Sequence, residues 1–337
     1  MKTVITSIVG IAMLTLTLVN CKSEKKKEEA PTTKTEQKVV PENLKWSERM
    51  ALSEVHRFPD PTLLDFQDKS RWSYTNGLVL QGMSRIQGST PHDELADYIY
   101  EYADRMVNKD GSIETYDISN YNLDMIKSGD VLFYLYQQEK EPRFKMAMDT
   151  LHQQLVDQPT VSEGGYWHKQ RYPYQMWLDG VYMAEPFHAK YASTFMEGEA
   201  AKKTFDKIVL QFDLIEKHSR DPKTGLYFHG WDESKEQRWA NKDTGLSQHF
   251  WSRGMGWYGM ALVDIIELLP EGHSGREKIK GYLNRYAEAI VKYQDATGAW
   301  YQVLDLPERE GNYLEATGTC MFTYTLAKGV NKGYLPE

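Results

Sequence analysis

Asp179 stands in the segment of the chain richest in chemistry. Residues 164–191 read GGYWHKQRYPYQMWLDGVYMAEPFHAKY and hold Trp167, Trp177, Phe187 and the tyrosines Tyr166, Tyr172, Tyr174, Tyr182 and Tyr191. A carboxylate among aromatic side chains loses solvation of its charged form, so its pKa is expected to rise. A raised carboxyl keeps a proton near neutral pH and can serve as a general acid. The competing reading makes Asp179 a helix cap at the start of its segment. Asp124, in Tyr121-Asn122-Leu123-Asp124-Met125-Ile126, reads locally better as a helix start than as a catalyst. His229 follows the strand-like run Gly225-Leu226-Tyr227-Phe228 beside Gly230, a corner position rather than a core one. Trp251, Arg253 and Trp257 alternate through a fourth region. Aromatic faces stack on sugar C–H groups and arginine grips a carboxylate with two parallel hydrogen bonds, though each tryptophan alone is more commonly core.

Other motifs are decoys. Gly254-Met255-Gly256-Trp257-Tyr258-Gly259 has the spacing of a dinucleotide fingerprint, but the preceding Gln248–Arg253 is polar and aromatic, not a buried strand. Gly272-His273-Ser274-Gly275 is one residue short of a nucleophile elbow. The nine histidines show no H-x-x-x-H or H-E-x-x-H spacing, so a zinc site is not expected.

The elements that must position these residues are helices. Apolar residues recur at three- and four-residue spacing over 74–88, 92–107, 124–138, 143–156, 175–193, 199–217, 252–269, 276–294 and 314–329. Pro91, Pro142 and Pro270 fall at helix edges. No alternation of strands and helices is visible, which excludes a doubly wound sheet. Between helices a glycine precedes residues of strand propensity at Gly111, Gly165, Gly225 and Gly298, spaced 54, 60 and 73 residues apart. Each spacing fits one helical hairpin plus a loop. The pattern predicts a toroid of hairpins whose corners gather aromatic side chains at one mouth, with an open solenoid as the alternative. Nine or ten helices fall short of the twelve in a six-hairpin toroid, so the last hairpin is expected to be missing after Glu337.

Composition excludes other classes. Among 337 residues, 40 basic and 48 acidic side chains leave a net charge of −8, so no basic excess exists to hold nucleic acid. Two cysteines cannot form a disulfide scaffold. Lys2 and the apolar stretch Val4–Val19 read as a secretion signal over residues 1–20, too short to span a bilayer. The run Leu18-Val19-Asn20-Cys21 resembles a bacterial lipoprotein box, although Asn20 departs from the usual small residue. Cys21 is the expected lipidation site and residues 21–41 the expected flexible tether, because their charge outweighs any apolar surface they could bury. The expectation is a protein anchored in the bacterial cell envelope, on the periplasmic or outer-membrane face, with residues 42–337 as one catalytic domain.

Together these segments resemble glycoside hydrolase family 105, the unsaturated rhamnogalacturonyl and related unsaturated glucuronyl hydrolases. The blocks are Trp72-x-Tyr74-x-Asn76-Gly77, Asn122-Leu123-Asp124, Trp167-His168-Lys169, Tyr172-Pro173-x-Gln175-Met176-Trp177-Leu178-Asp179-Gly180, Tyr227-x-His229-Gly230-Trp231-Asp232 and Trp251-x-Arg253-x-x-Gly256-Trp257. Gly298-x-Trp300-Tyr301-Gln302-Val303-Leu304-Asp305 and Tyr313-Leu314-Glu315 continue the series over roughly residues 45–335, while Thr317-Gly318-Thr319-Cys320 departs from a serine-rich version. The resemblance implies an all-α fold, an (α/α)6 toroid with short β-like corners. It makes Asp179 the general acid/base and has Asp124 hold the sugar hydroxyls and assist. Tyr74, Lys169, His229, Trp251, Arg253 and Trp257 match its substrate pocket. No metal or organic cofactor is implied.

The implied reaction is hydration of an enol ether. A polysaccharide lyase leaves a 4,5-double bond in the terminal uronic acid, and proton delivery to C4 begins its release. Rhamnogalacturonan- and ulvan-type fragments both fit. One alternative substrate is an unsaturated chondroitin-type disaccharide. Another reading is a lipoprotein that captures glycans without turnover, but the 34-residue repeat of helical capture proteins is absent.

Overall fold

The computed structural model describes residues 39–337, so the expectations for the signal, Cys21 and most of the tether lie outside the described residues. Residues 40–337 form one compact unit. Among the described residues there are ten α-helices: α1 (Trp46–Arg57), α2 (Tyr74–Gln87), α3 (Asp93–Met106), α4 (Asp130–Glu139), α5 (Pro142–Asp157), α6 (Leu178–Phe195), α7 (Gly198–Ser219), α8 (Ser252–Leu268), α9 (Gly275–Val291) and α10 (Ala316–Asn331). The described residues hold one sheet of two short strands, β1 (Gln175–Trp177) and β2 (Gly230–Asp232). No helix among them is long and apolar enough to cross a membrane.

Burial sorts the helices into two layers. In α8 every residue from Gly254 to Ile266 is buried, and α6 is buried over most of its length, as inner helices must be. Helices α3, α5, α7 and α9 alternate buried and exposed positions and pack outside. Glycines let the layers close up. A Cβ on Gly259 would lie 2.5 Å from the Tyr286 hydroxyl of α9, and one on Gly256 would lie 2.7 Å from Met321 of α10. The decoy Gly254–Gly259 motif therefore serves close helix packing. Arg85 of α2 donates to Asp264 of α8 at 2.9 Å and to Tyr324 of α10 at 2.7 Å, joining three inner helices.

Three glycine corners form at the expected residues, and the second turns at Gly164 rather than Gly165. Gly111, Gly164, Gly225 and Gly298 all have φ between 79° and 92°, a backbone region open to glycine. Antiparallel bridges follow three of these turns, Val107 with Ile113, Thr160 with Tyr166 and Arg220 with Tyr227. At the first two of these glycine sites the surroundings also exclude a side chain: a Cβ on Gly111 would meet Met146 at 2.4 Å, and one on Gly165 would meet Met176 at 2.1 Å.

Two helix expectations need correction. The helix anticipated over 124–138 begins only at Asp130, because Leu123–Met125 and Lys127–Gly129 form tighter 3-10 turns. The backbone of Ser128 runs so close to α2 that a Cβ on Gly77 would lie 2.5 Å from its Cα, and Trp72 Nε1 holds the Met125 carbonyl at 2.7 Å. These tertiary contacts override the helical pattern. Helix α1 had no assigned range, since its Trp46 and Met50 face solvent and blur the apolar stripe.

Candidate active site

The two-stranded ribbon builds the first half of the site. Gln175, Met176 and Trp177 pair with Asp232, Trp231 and Gly230, and Leu178 N donates to the His229 carbonyl at 3.0 Å. This register sets Asp179, in the first turn of α6, beside His229, fifty residues later in the chain. His229 Nε2 lies 2.7 Å from Asp179 Oδ2. The N-cap of α6 is Trp177, without a side-chain cap bond, so Asp179 is not the cap that the bland reading required.

The pKa expectation for Asp179 is overturned. Burial pushes the carboxyl up as anticipated, but the His229 imidazole beside it, aided by His168, outweighs burial and holds Asp179 below its ordinary value. The α6 N-terminus also favours the anion. Sequence proximity could not show a partner brought in by strand pairing.

Asp124 faces the same space from the 3-10 turn Leu123–Met125. Asn122 Oδ1 accepts from the Asp124 backbone N–H at 3.1 Å, so Asn122 is the cap and the Asp124 carboxyl is released for other work. Asp124 Oδ1 lies 3.0 Å from His168 Nε2 and Oδ2 lies 2.5 Å from Lys169 Nζ. Burial raises its pKa, yet His168 and Lys169 together hold it well below the usual carboxylate range. The turn is tied to the His168 segment by Leu123 N–H on the His168 carbonyl at 3.1 Å. Gln158 Nε2 adds bonds to the carbonyls of Tyr121 and Trp167 at 2.7 and 2.8 Å.

Aromatic rings wall the site. His168 stacks on Trp177 with centroids 4.4 Å apart, and Tyr172 stacks on it at 5.0 Å. His229 meets Trp251 edge-on at 4.8 Å. The Arg253 guanidinium lies over the Trp251 ring at 4.6 Å and has no ion-pair partner among the described residues. Tyr74, first residue of α2, is half-buried, with its hydroxyl pushed up by burial and by the charges of Asp124 and Asp179, which outweigh Arg253. Trp257 is buried, stacked on Tyr182 at 5.0 Å and edge-on to Tyr74 at 6.2 Å, so it backs the wall rather than lining it broadly. A Cβ on Gly254 would lie 2.9 Å from the His229 ring, which leaves glycine as the fitting residue there.

The structure thus brings Asp179, His229, Asp124 and Lys169 into direct pairs, with Trp251, Arg253 and Tyr74 around them. His168 was not among the site residues anticipated. Its only signal was its place next to Lys169. Glu315 belongs elsewhere: its carboxylate caps α10 by accepting from the Thr317 and Gly318 N–H groups at 2.9 and 2.5 Å.

Comparisons with known proteins bear on the family and the fold. The model of Glycosyl Hydrolase Family 88 matches residues 46–337. A solved glycoside hydrolase of family 105 from C. acetobutylicum ATCC 824 is 41% identical, with a TM-score of 0.81 covering 87% of this chain and 79% of that one. The unsaturated rhamnogalacturonyl hydrolase YesR of Bacillus subtilis (strain 168) is 25% identical over 260 residues, covering 75% of this chain and 70% of that protein. Protein Atu3128 of Agrobacterium fabrum is 41% identical over 111 residues, 33% of this chain, and the match spans about half (47%) of that relative's length. The all-α architecture with its minute sheet resembles the helical toroids of these families. With a family match over residues 46–337 and extended identity to a solved relative, this chain belongs to the family 88 and 105 glycosyl hydrolases.

Proposed function

We propose that this protein hydrolyses lyase-generated oligosaccharides by hydrating the 4,5-double bond of their terminal uronic acid, with Asp179 as the general acid and base. The observation that carries this reading is the contrast between the two carboxylates. Asp124 is paired with the Lys169 ammonium as well as with His168, whereas the direct partner of Asp179 among the described residues is the His229 imidazole alone. Asp179 is thus the carboxylate of the two with no ammonium group against it, which suits it to carry and deliver a proton.

Arrival of the substrate supplies the missing push. The unsaturated uronate carries a carboxylate, for which the unpaired Arg253 over Trp251 is a matching anchor. That anion, together with the exclusion of water, raises the proton affinity of Asp179 from the low value of the unliganded site. Asp179 then gives its proton to C4, and the π electrons leave an oxocarbenium centre at C5. Water adds at C5 and returns a proton to Asp179. The resulting hemiketal breaks its bond between C5 and the ring oxygen, and the hemiacetal formed at C1 releases the leaving sugar. Asp124, fixed as an anion by His168 and Lys169, accepts hydrogen bonds from sugar hydroxyls and stabilises the cationic transition state. Tyr74, Trp251 and Trp257 shape the apolar side of the pocket.

The name of the Bacillus relative supports a rhamnogalacturonan-type substrate. The test is loss of the enol-ether ultraviolet absorbance on incubation with lyase fragments of rhamnogalacturonan, ulvan and chondroitin. Turnover of the first is expected. Binding of all three without absorbance loss would overturn the reading in favour of a capture protein. Cys21 as a lipid attachment site on the cell envelope is part of the same proposal and is supported by the sequence run Leu18–Cys21. Cys21→Ser is expected to move the protein from the membrane fraction to the soluble one, and an unchanged distribution would reject it.

A further inference from the structure

Behind the Asp124–His168 pair lies a small pocket lined by Leu123, Tyr166, His168, Met176, Glu185 and Gln211, among others. The space open to a water centre is about 10 Å³, roughly the room that one water molecule needs. His168 and Glu185 are two of the polar residues on its lining. His168 is 2% exposed and Glu185 is 1% exposed, and neither His168 Nδ1 nor Glu185 Oε2 has a hydrogen-bond partner. Gly180 forms the rim beside the imidazole, since a Cβ there would lie 3.3 Å from His168 Nδ1. His188 Nδ1, also without a hydrogen-bond partner among the described residues, is 3.7 Å from this same Oε2, beyond hydrogen-bonding reach.

The identity of the donor follows from burial. Desolvation pushes the Glu185 carboxyl well above its ordinary value, with the Lys207 charge pulling weakly the other way. Lys207 itself is held by the Gly164 carbonyl at 2.7 Å. His188, one helical turn along α6, is pushed by burial down to about 3 and stays neutral. Glu185 therefore faces no close counter-ion and keeps its proton, which makes it a hydrogen-bond donor.

We propose that Glu185 is a positioning residue: through one water held in this pocket it hydrogen-bonds His168 Nδ1, fixes the imidazole as its Nε2–H tautomer and so aims that N–H at Asp124 Oδ1. No proton is transferred in this arrangement. The Glu185 O–H bonds the water oxygen, one water O–H bonds the Nδ1 lone pair, and His168 Nε2–H bonds Asp124. Without the water bridge the imidazole can take the other tautomer, which turns a lone pair toward the Asp124 carboxylate and frees it to swing. The inference rests on the catalytic reading of Asp124 given above.

The test compares the full chain with Glu185→Gln and Glu185→Leu. A glutamine amide still donates into the pocket, and a leucine cannot. Wild type and Glu185→Gln are expected to share kcat within about two-fold. Glu185→Leu is expected to lose about ten-fold in kcat with KM little changed, the size of one buried hydrogen bond. Nitrogen-15 spectra of His168, recorded without substrate, are expected to show a protonated Nε2 and a bare, hydrogen-bonded Nδ1 in wild type and Glu185→Gln, and mixed tautomers in Glu185→Leu. A wild-type His168 protonated at Nδ1 overturns the proposal, as do equal losses in both variants or an unchanged kcat in Glu185→Leu. Because the spectra need no substrate, absence of turnover by the wild type would count against the proposed reaction while leaving the tautomer to be decided by the wild-type spectrum alone.

Discussion

Asp179 and Asp130 both sit in the first turn of a helix, and both are carboxylates that neighbouring basic side chains hold below their ordinary pKa, yet their surroundings differ in kind. Asp130 is closed off from solvent and pairs with Lys127 at 2.7 Å and Lys190 at 3.0 Å. Burial raises its pKa, but the two ammonium groups win and bring it to about 2. Gln81 bonds both Asp130 and Lys127, and the Lys127 ammonium lies 4.1 Å from the Tyr182 ring centre. Asp179 keeps 15% of its side chain exposed and has only His229 as a direct partner. A carboxylate between lysines is locked as an anion and joins helices. A carboxylate beside a single imidazole lacks that double lock, and that difference separates a structural bolt from the group proposed as the acid.

Substitution of each aspartate by asparagine separates the two roles. Asp179→Asn removes the proposed proton donor, and kcat is expected to fall by about 10²–10⁴-fold, the range for a lost general acid, with an unchanged melting midpoint. Asp130→Asn takes the carboxylate from the buried Lys127 ammonium and from the partly exposed Lys190, and a loss on the order of 3–5 kcal/mol in denaturant unfolding is expected, with kcat per folded molecule preserved. The sign of its pH dependence follows from linkage. A carboxyl whose folded pKa is depressed adds stability above its unfolded pKa and loses it as pH falls through the folded value. The stability gap between wild type and Asp130→Asn should therefore hold at neutral pH and close between roughly pH 4 and pH 2.

A smaller effect tests the mobility of the His229 side. Gly254→Ala would place a methyl 2.9 Å from the His229 ring and 3.0 Å from Trp251. The ring must move, and a fall of about ten-fold in kcat is expected from misplacing the proton relay. Equal kcat in Gly254→Ala and wild type would show that the Asp179–His229 distance is not critical. The smallest effect belongs to Glu185, where the sign is reversed. Its folded pKa is raised, so the acidic form costs nothing below the unfolded value and destabilises the fold as pH rises toward the folded one. Glu185→Gln is expected to melt on the order of 1–2 °C higher at neutral pH, an advantage that vanishes in acid below about pH 4.5.

The same contrast marks what could be read from the chain alone. Helices α2, α3 and α5–α10 repeat an apolar stripe that depends only on local spacing, and the glycine corners depend on a backbone angle that few other residues adopt. Both are local properties and were legible. Asp179 and His229 were legible as candidates because each stands out in its own segment. Their pairing was not, since it is set by a ribbon of three residues per strand whose partners are fifty-odd positions apart. The expected rise in the Asp179 pKa failed for that reason: burial was inferred, and the imidazole that outweighs it was not. Asp124 misled in the opposite way. Its turn looked like a helix start, and it is one in the loose sense of a 3-10 turn, but Asn122 does the capping. His168 was hidden because a buried histidine on an aromatic wall carries no spacing signal.

The most direct test of the central claim is to follow turnover of an unsaturated uronyl oligosaccharide in deuterium oxide by NMR, over the first turnovers. If a fixed carboxyl delivers the proton, one deuteron should enter C4 of the released sugar on a single face, and the signal should disappear in Asp179→Asn. Release of the leaving sugar with the C4–C5 double bond intact, or deuteration at the wild-type rate in Asp179→Asn, would contradict it.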